Sequence, residues 1–215
     1  MRPVIFDLDG VLIDSEPLYE RAFATFLKRV GRRDASDLFA LTLGRREADF
    51  LPVVAARLAL PEQDVRRELQ RATAAVTGDV RPMPFATEVF AGLHADGRSL
   101  AIATSSLAAF AEQAIRLLRI ESMVEALVSG DDVTEGKPDP SIYRLAASRI
   151  GAEPATCIAV EDTPAGIAAA GVAGMTCIAI PHALSARAEL ADADIIADDL
   201  RAAATAIRRL DRMDS

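Results

Sequence analysis

Tryptophan is absent from this chain, and cysteine, histidine and tyrosine occur only twice each. The cysteines, Cys157 and Cys177, lie inside the apolar runs CIAV and CIAI, with no CxxC pair and no Cys/His cluster around them. That speaks against a zinc site, a redox dithiol or a disulfide framework. Both thiols are expected as small buried hydrophobes in a reducing compartment. Long apolar runs are missing too. None approaches the ~18 residues that a membrane span needs. Asp7 interrupts the apolar start, so no signal-peptide pattern opens the chain. The expectation is a cytoplasmic protein with no membrane partner. Positive charge is in deficit: 24 Lys and Arg against 32 Asp and Glu leave a formal charge of −8. This argues against a nucleic-acid partner. The local basic cluster Lys28, Arg29, Arg32 and Arg33 reads as a solvated helix end.

What is present is a chain of 215 residues, half of them hydrophobic, enough for one large domain or one domain with an insertion. A chain of this length buries roughly 70% of its unfolded surface and needs no disulfide or structural metal to fold. Six short apolar runs read as strands: Val4–Phe6, Leu100–Ala103, Ala126–Val128, Cys157–Val160, Cys177–Ile180 and, more weakly, Ile195–Ala197. They do not alternate with polar residues, which is the pattern of strands covered on both faces of a parallel sheet. Helical patterns lie between them. One places Val89, Phe90 and Leu93 on a face and stops at Asp96-Gly97. Another repeats Phe110, Ala114, Leu117 and Leu118. In DPSIYRLAASRIG, Asp139 is the expected N-cap, Pro140 the first helical residue and Gly151 the stop; TPAGIAAAG repeats the device with Thr163, Pro164 and Gly171. Strand alternating with helix predicts an α/β fold, a doubly wound parallel sheet with a Rossmann-like core.

Residues 15–81 break the rhythm and read as helices alone. A helical insertion after the first strand suggests a small α-helical cap domain (15–81) on a core of 1–14 and 82–215. The return linker, VRPMP, is stiffened by two prolines.

Ligands of an open parallel sheet bind beyond the carboxyl ends of its strands. The residues just after each run are therefore informative. Asp7-Leu8-Asp9-Gly10 comes after the first, Thr104-Ser105-Ser106 after the second, a polar loop holding Lys137 after the third, and Glu161-Asp162 after the fourth. Asp7, Asp9 and Asp162 make an oxygen-rich set suited to a hard cation such as Mg²⁺, which would offset the repulsion between the acids. Thr104, Ser105 and Lys137 supply donors and positive charge for an anion. Acids around a metal beside donors for an oxyanion suit phosphoryl transfer.

The stretches DLDGVLID, TSS, GKPDP and VEDTPAGIAAA, in this order, resemble the four motifs of the haloacid dehalogenase-like superfamily. The small helical cap resembles that of its phosphatases and β-phosphoglucomutases. The resemblance covers nearly the whole chain and implies roles. Asp7 is then the nucleophile that forms an aspartyl-phosphate. Asp9 is general acid and then base, with its backbone carbonyl on the metal. Thr104 and Ser105 bind phosphate, and Lys137 holds Asp7 and the phosphoryl group together. Asp162 is the metal carboxylate, with Glu161 as a further or alternate ligand. Gly10 allows the tight turn after the acids, and Asp14 caps the loop or acts as a hinge. In the cap, Arg45 and Arg46 of LGRRE are candidates for a substrate hydroxyl or second phosphate, and Glu16 and Tyr19 for the entrance. His182 is a candidate at the site edge, whereas His94 reads as a surface residue.

Asp9 favours ester cleavage over dehalogenation, because halide leaves without a proton. Lys28 as the sole lysine of the insertion disfavours a Schiff-base phosphonatase. Tyr19 stands where β-phosphoglucomutases carry a cap histidine, which disfavours the mutase. Phe85 stands where many relatives have glycine. The expectation is a Mg²⁺-dependent phosphatase of a small phosphorylated metabolite, a sugar or polyol phosphate. A phosphosugar mutase is the enzymatic alternative and a receiver-like phosphoacceptor module the non-enzymatic one.

Overall fold

The structure, a computed structural model, describes residues 1–182 and 187–213. Its centre is a six-stranded parallel sheet of β1 (Val4–Phe6), β4 (Leu100–Ala103), β5 (Ala126–Val128), β6 (Ile158–Glu161), β7 (Thr176–Ala179) and β8 (Ile195–Ile196), in the order β5-β4-β1-β6-β7-β8. The chain builds outward from β1 on one side through β4 and β5. It then crosses back to lay β6, β7 and β8 on the other side. The strand order reverses at β1, and crevices of doubly wound sheets open at such switch points.

The strands are covered on both faces, as their unbroken apolar runs require, but the two faces differ. Val4, Phe6, Leu100, Ile102, Val160 and Ile178 share a cluster with Phe90 and Leu93 of α4 (Ala86–Ala95), Ala114 of α5 (Ala108–Leu118) and Ile207 of α8 (Leu200–Met213). The alternate residues Ile5, Ala101, Ala103, Ala159, Cys177 and Ala179 meet Tyr143 of α6 (Ser141–Arg149) and Ile167 of α7 (Pro164–Ala173). Small side chains on this second face let α6 and α7 lie close to the sheet. Cys157 and Cys177 are among them, free and buried.

Between β1 and β4 the chain leaves the sheet for α1 (Glu16–Arg29), α2 (Glu47–Leu58) and α3 (Glu62–Ala74). These helices surround a hydrophobic cluster of their own, with Phe23, Phe26, Leu51, Val54, Val65 and Leu69. The two crossings run side by side as a short antiparallel ribbon, β2 (Ile13–Asp14) against β3 (Arg81–Pro82), with Asp14 opposite Arg81. The fold is thus an α/β doubly wound sheet with a small helical cap inserted after the first strand. Among the described residues no helix is long and apolar enough to cross a membrane.

Local expectations shifted at several points. The buried stripe of α5 is Phe110, Ala111, Ala114, Ile115 and Leu118, and Leu117 is exposed on the shoulder of the helix. Helix α7 continues through Gly171 and stops at Gly174, whose φ of +88° supplies the left-handed turn that ends a helix. Helix α6 starts at Ser141; Asp139 still accepts the Ser141 N–H at 2.9 Å, and Pro140 precedes the first turn. Strands β6 and β7 lie one residue away from the predicted runs, β6 later and β7 earlier. Phe85 adopts φ +68°, the conformation for which glycine is suited, and its ring lies 3.9 Å from the Arg201 guanidinium.

Candidate active site

The site forms where β1, β4 and β6 end side by side. Asp7 follows β1 directly, and its N–H donates to Val160 O at 2.9 Å. The chain then turns sharply at Gly10, where φ is +77°. A Cβ at Gly10 would also lie 2.2 Å from Asp162 Oδ2, so both the turn and the close approach require glycine.

Lys137 comes in from the loop between β5 and α6. Its ammonium donates to Asp7 Oδ1 at 2.7 Å, Glu161 Oε1 at 2.6 Å and Ala103 O at 3.2 Å. Three acceptors use all three ammonium protons. The side chains of Asp7, Lys137 and Glu161 are buried, and their charges set one another. Burial pushes the Asp7 carboxyl well above the usual range, and Lys137 only partly offsets it. Burial would also lower the Lys137 ammonium, but Asp7 and Glu161 outweigh it and hold Lys137 above an ordinary lysine. At Glu161 burial is likewise opposed and outweighed, by Lys137 first and then Tyr143, so this carboxyl stays below its ordinary value. At Asp162 the opposition from Lys137 is too small to prevail. Burial, reinforced by the Glu161 charge, drives its carboxyl well up.

Glu161 is saturated. Oε1 accepts from Lys137 and from the Tyr143 hydroxyl at 2.7 Å. Oε2 accepts from the Asp162 N–H at 3.0 Å, the Thr163 N–H at 3.2 Å and the Thr163 hydroxyl at 3.1 Å. Helix α7 starts so close to it that a Cβ at Gly166 would lie 1.8 Å from Oε1. Gly166→Ala is therefore expected to destabilise the protein by roughly 1–3 kcal/mol or more, the usual cost of overpacking, and to disturb Lys137 through Glu161. Gly171→Ala in the same helix meets no atom within 4 Å. It should stabilise by up to about 1 kcal/mol. Denaturant midpoints of the two variants check the contrast; equal midpoints would refute the steric reading of Gly166.

Asp9 is held differently. Its Oδ2 accepts from the Thr104 hydroxyl at 3.0 Å and the Ser106 hydroxyl at 2.6 Å, and the Ser106 hydroxyl also meets the Tyr19 hydroxyl at 2.8 Å. Asp9 Oδ1 and Asp162 Oδ1 are buried without a hydrogen-bond partner. One ligand atom each of Asp7, Glu161 and Asp162 lies within 4.8 Å of the others. Orphaned carboxylate oxygens beside like charges fit a hard divalent cation, which would supply what hydrogen bonds do not.

Over these groups lies a cavity of about 970 Å³. Asp7, Asp9, Lys137 and Asp162 line it from the core, and Phe39, Leu43, Arg45, Glu47 and Phe50 from the cap. Glu16 and Ser105 line it too. Three expected residues, Glu161, Thr104 and Arg46, do not line it. Thr104 is fully buried below the cavity, and its hydroxyl accepts the Ser106 N–H and donates to Asp9. Arg46 is turned away from the cavity. Its guanidinium binds both oxygens of Asp49, at 2.9 and 2.6 Å, and the Val133 carbonyl at 2.7 Å, fastening the cap to the loop before Lys137. A guanidinium with these partners in a buried position has little left for a substrate, so Arg45 is the arginine of the pair that faces the cavity.

Sequence reasoning assigned nothing to Ser106 or Tyr143. A signal was available in composition: the chain has two tyrosines, and both hydroxyls end in this network.

Residues 1–174 match the family model of haloacid dehalogenase-like hydrolases. The chain is 31% identical over 201 residues to the phosphorylated carbohydrates phosphatase of Thermotoga maritima, covering 92% of this chain and 93% of that protein. It is 34% identical to the validoxylamine A 7'-phosphate phosphatase of Streptomyces hygroscopicus subsp. limoneus, over 91% of this chain and 92% of that one. Among solved structures, CbbY from Rhodobacter sphaeroides in complex with phosphate superposes with a TM-score of 0.76 at 29% identity, covering 93% of this chain and 95% of that chain. The fold, with its cap, is also that of β-phosphoglucomutase from Clostridium difficile, at a TM-score of 0.79 and 20% identity, over 93% and 92% of the two chains. This protein belongs to the haloacid dehalogenase-like hydrolase family and is an enzyme of that family.

Proposed function

We propose that the protein is a Mg²⁺-dependent phosphatase that hydrolyses a small phosphorylated metabolite, a sugar or polyol phosphate, through an aspartyl-phosphate on Asp7. The observation that carries this reading is Asp7 at the cavity floor, 2.7 Å from a fully engaged Lys137, with Asp9 two residues on and one of its oxygens unpartnered. Relatives named as phosphatases of phosphorylated carbohydrates and of hexitol phosphates support the substrate class.

Asp7 attacks phosphorus in line with the leaving oxygen, forming the acyl-phosphate bond as the ester P–O bond breaks. Asp9 delivers its proton to the leaving oxygen. Its Oδ1 is the oxygen assigned to this, because Oδ2 is occupied by two hydroxyls. The resulting carboxylate then takes a proton from water as water attacks phosphorus, and Asp7 departs unchanged. Lys137 favours the ionised form of Asp7 against the burial that opposes it, and offers charge to the phosphoryl oxygens. Asp7, the Asp9 carbonyl and Asp162 would hold the Mg²⁺, whose charge neutralises the phosphoryl oxygens and the clustered acids. Glu161, with its oxygens taken by five donors, is assigned to position Lys137. Ser105 and Arg45 are left to meet the substrate from core and cap. Residues 15–81 serve as the cap domain that closes over it.

A panel of phosphorylated metabolites scored for free phosphate tests the reading. With a hexose 1-phosphate, release of phosphate supports it, and conversion to an isomeric ester without release would replace it by a mutase. A long-lived phosphoprotein after treatment with a small phosphodonor would instead indicate a phosphoacceptor module.

The cation also has a stability signature. Asp7 and Asp162 titrate above their unfolded values, largely through burial, so ionising them as pH rises weakens the fold. A bound cation offsets that loss only where the acids are ionised. Added Mg²⁺ is therefore expected to raise the melting temperature more at about pH 8 than at about pH 5, where protons compete for the same oxygens. Asp162→Asn should abolish most of the rise. A Mg²⁺ shift independent of pH, or intact in Asp162→Asn, would remove these acids from the cation site.

A further inference from the structure

His182 takes part in none of the steps above, yet it touches the groups that do. It follows β7, and its Nε2 lies 2.7 Å from Asp162 Oδ2, while its Nδ1 lies 3.4 Å from Glu16 Oε2. The imidazole is largely enclosed, with a side-chain exposure of 10%. Gly10 closes a further side: a Cβ there would lie 3.2 Å from His182 Nε2. Three separate pieces of chain therefore meet at this ring. They are the turn after β1 with Gly10, the end of β6 with Asp162, and the first turn of α1 with Glu16, where the cap begins.

A carboxylate can rotate about its Cβ–Cγ bond and exchange its oxygens. A donor on Oδ2 removes that freedom and leaves Oδ1 as the oxygen without a partner, as found. We propose that His182 is a positioning residue of the divalent-cation site, which fixes the Asp162 carboxylate with Oδ1 toward the ion and, through Glu16, ties that orientation to the entry of the cap. The inference rests on the reading of Asp162 as a cation ligand. An outer partner that orients a ligating carboxylate is worth about 10–100-fold in metal affinity. Glu16 acts at one further remove, so Glu16→Gln should weaken the ion less than loss of His182.

The test is Mg²⁺ binding to the full chain without substrate, by titration calorimetry, with kcat against Mg²⁺ concentration as the second readout. His182→Leu should weaken Mg²⁺ binding about 10–100-fold, with kcat recovering at saturating Mg²⁺. His182→Gln, whose amide N–H reaches to about where Nε2 lies, should recover most of the affinity. Should the leucine variant fail to fold, His182→Gln against the shorter His182→Asn carries the same comparison, with Asn expected to bind weakly. Parent-like affinity in His182→Leu, or equal affinities in the Gln and Asn variants, would overturn the role of His182 alone. A parent protein that binds no Mg²⁺ would overturn the cation reading itself and this inference with it.

Discussion

Asp7→Asn is expected to remove turnover while the fold persists. The amide has the shape of the carboxyl but is too weak a nucleophile to attack phosphorus, so kcat should fall by roughly 10⁴-fold or more, as when nucleophiles of covalent mechanisms are removed. The structural side is as specific. Lys137 would lose one ionic partner but retain Glu161 at 2.6 Å and the Ala103 carbonyl. One buried negative charge disappears from a group where Asp7, Asp162 and Glu161 repel one another. Without Mg²⁺ the melting temperature should therefore stay level or rise. Activity within tenfold of the parent would take the nucleophile role from Asp7. A collapse of the fold would contradict the electrostatic account of the site.

Lys137→Met should do the opposite to stability. The methionine fills much of the volume but leaves Asp7 and Glu161 buried without their cation. Breaking such a pair by deleting one member costs about 3–5 kcal/mol. For a chain of this length that is a fall in melting temperature of roughly 10 °C. The sign of the pH dependence comes from the acids left behind. In the parent, Lys137 holds the Glu161 carboxyl below its ordinary value. This contribution to stability is present above the unfolded glutamate pKa and lost as pH falls through the lower folded one. In the variant that support is gone, and burial is left to raise both carboxyls, so their ionisation weakens the fold as pH rises. The deficit relative to the parent should be small near pH 4 and grow toward about pH 8. Urea midpoints of parent and variant across that range check it. A deficit independent of pH would mean that Lys137 stabilises by packing and not by charge. Activity should be lost together with stability at neutral pH, because nothing from Lys137 then opposes the burial that raises the Asp7 carboxyl.

The layout of the sheet was readable because its signals are local. Unbroken runs such as Val4–Phe6 and Leu100–Ala103 can only be strands covered on both faces, and the order of runs and helices gives the winding. The acids after β1 and β6 and the polar turn after β4 were readable for the same reason: a motif that directly follows a strand must lie at its carboxyl end. Helix stops were less legible. Gly171 and Gly174 look alike in sequence, and only the backbone path decides which one takes the positive φ.

Which atom meets which was not legible, because it depends on segments far apart in the chain. Lys137 and Asp7 are 130 residues apart, and Thr104 and Asp9 are 95 apart. The sequence placed Thr104 and Ser105 together as phosphate donors, whereas the closed loops send Thr104 and Ser106 to Asp9. Arg45 and Arg46 are adjacent and chemically identical. Helix α2 begins at Glu47 and directs one guanidinium to Asp49 and Val133, while the other lines the cavity.

By itself the sequence determined that carboxylates, hydroxyls and an ammonium gather at one edge of a parallel sheet beneath a helical cap, since strand ends are set by local hydrophobic patterning. The tertiary structure alone decided how their hydrogen bonds are shared out: Glu161 filled, Asp9 and Asp162 each with one bare oxygen, His182 against Asp162. The physical reason is that a buried polar group must take whatever donors the converging loops bring within 3 Å or so, and that convergence is a property of the packed molecule and not of any one segment.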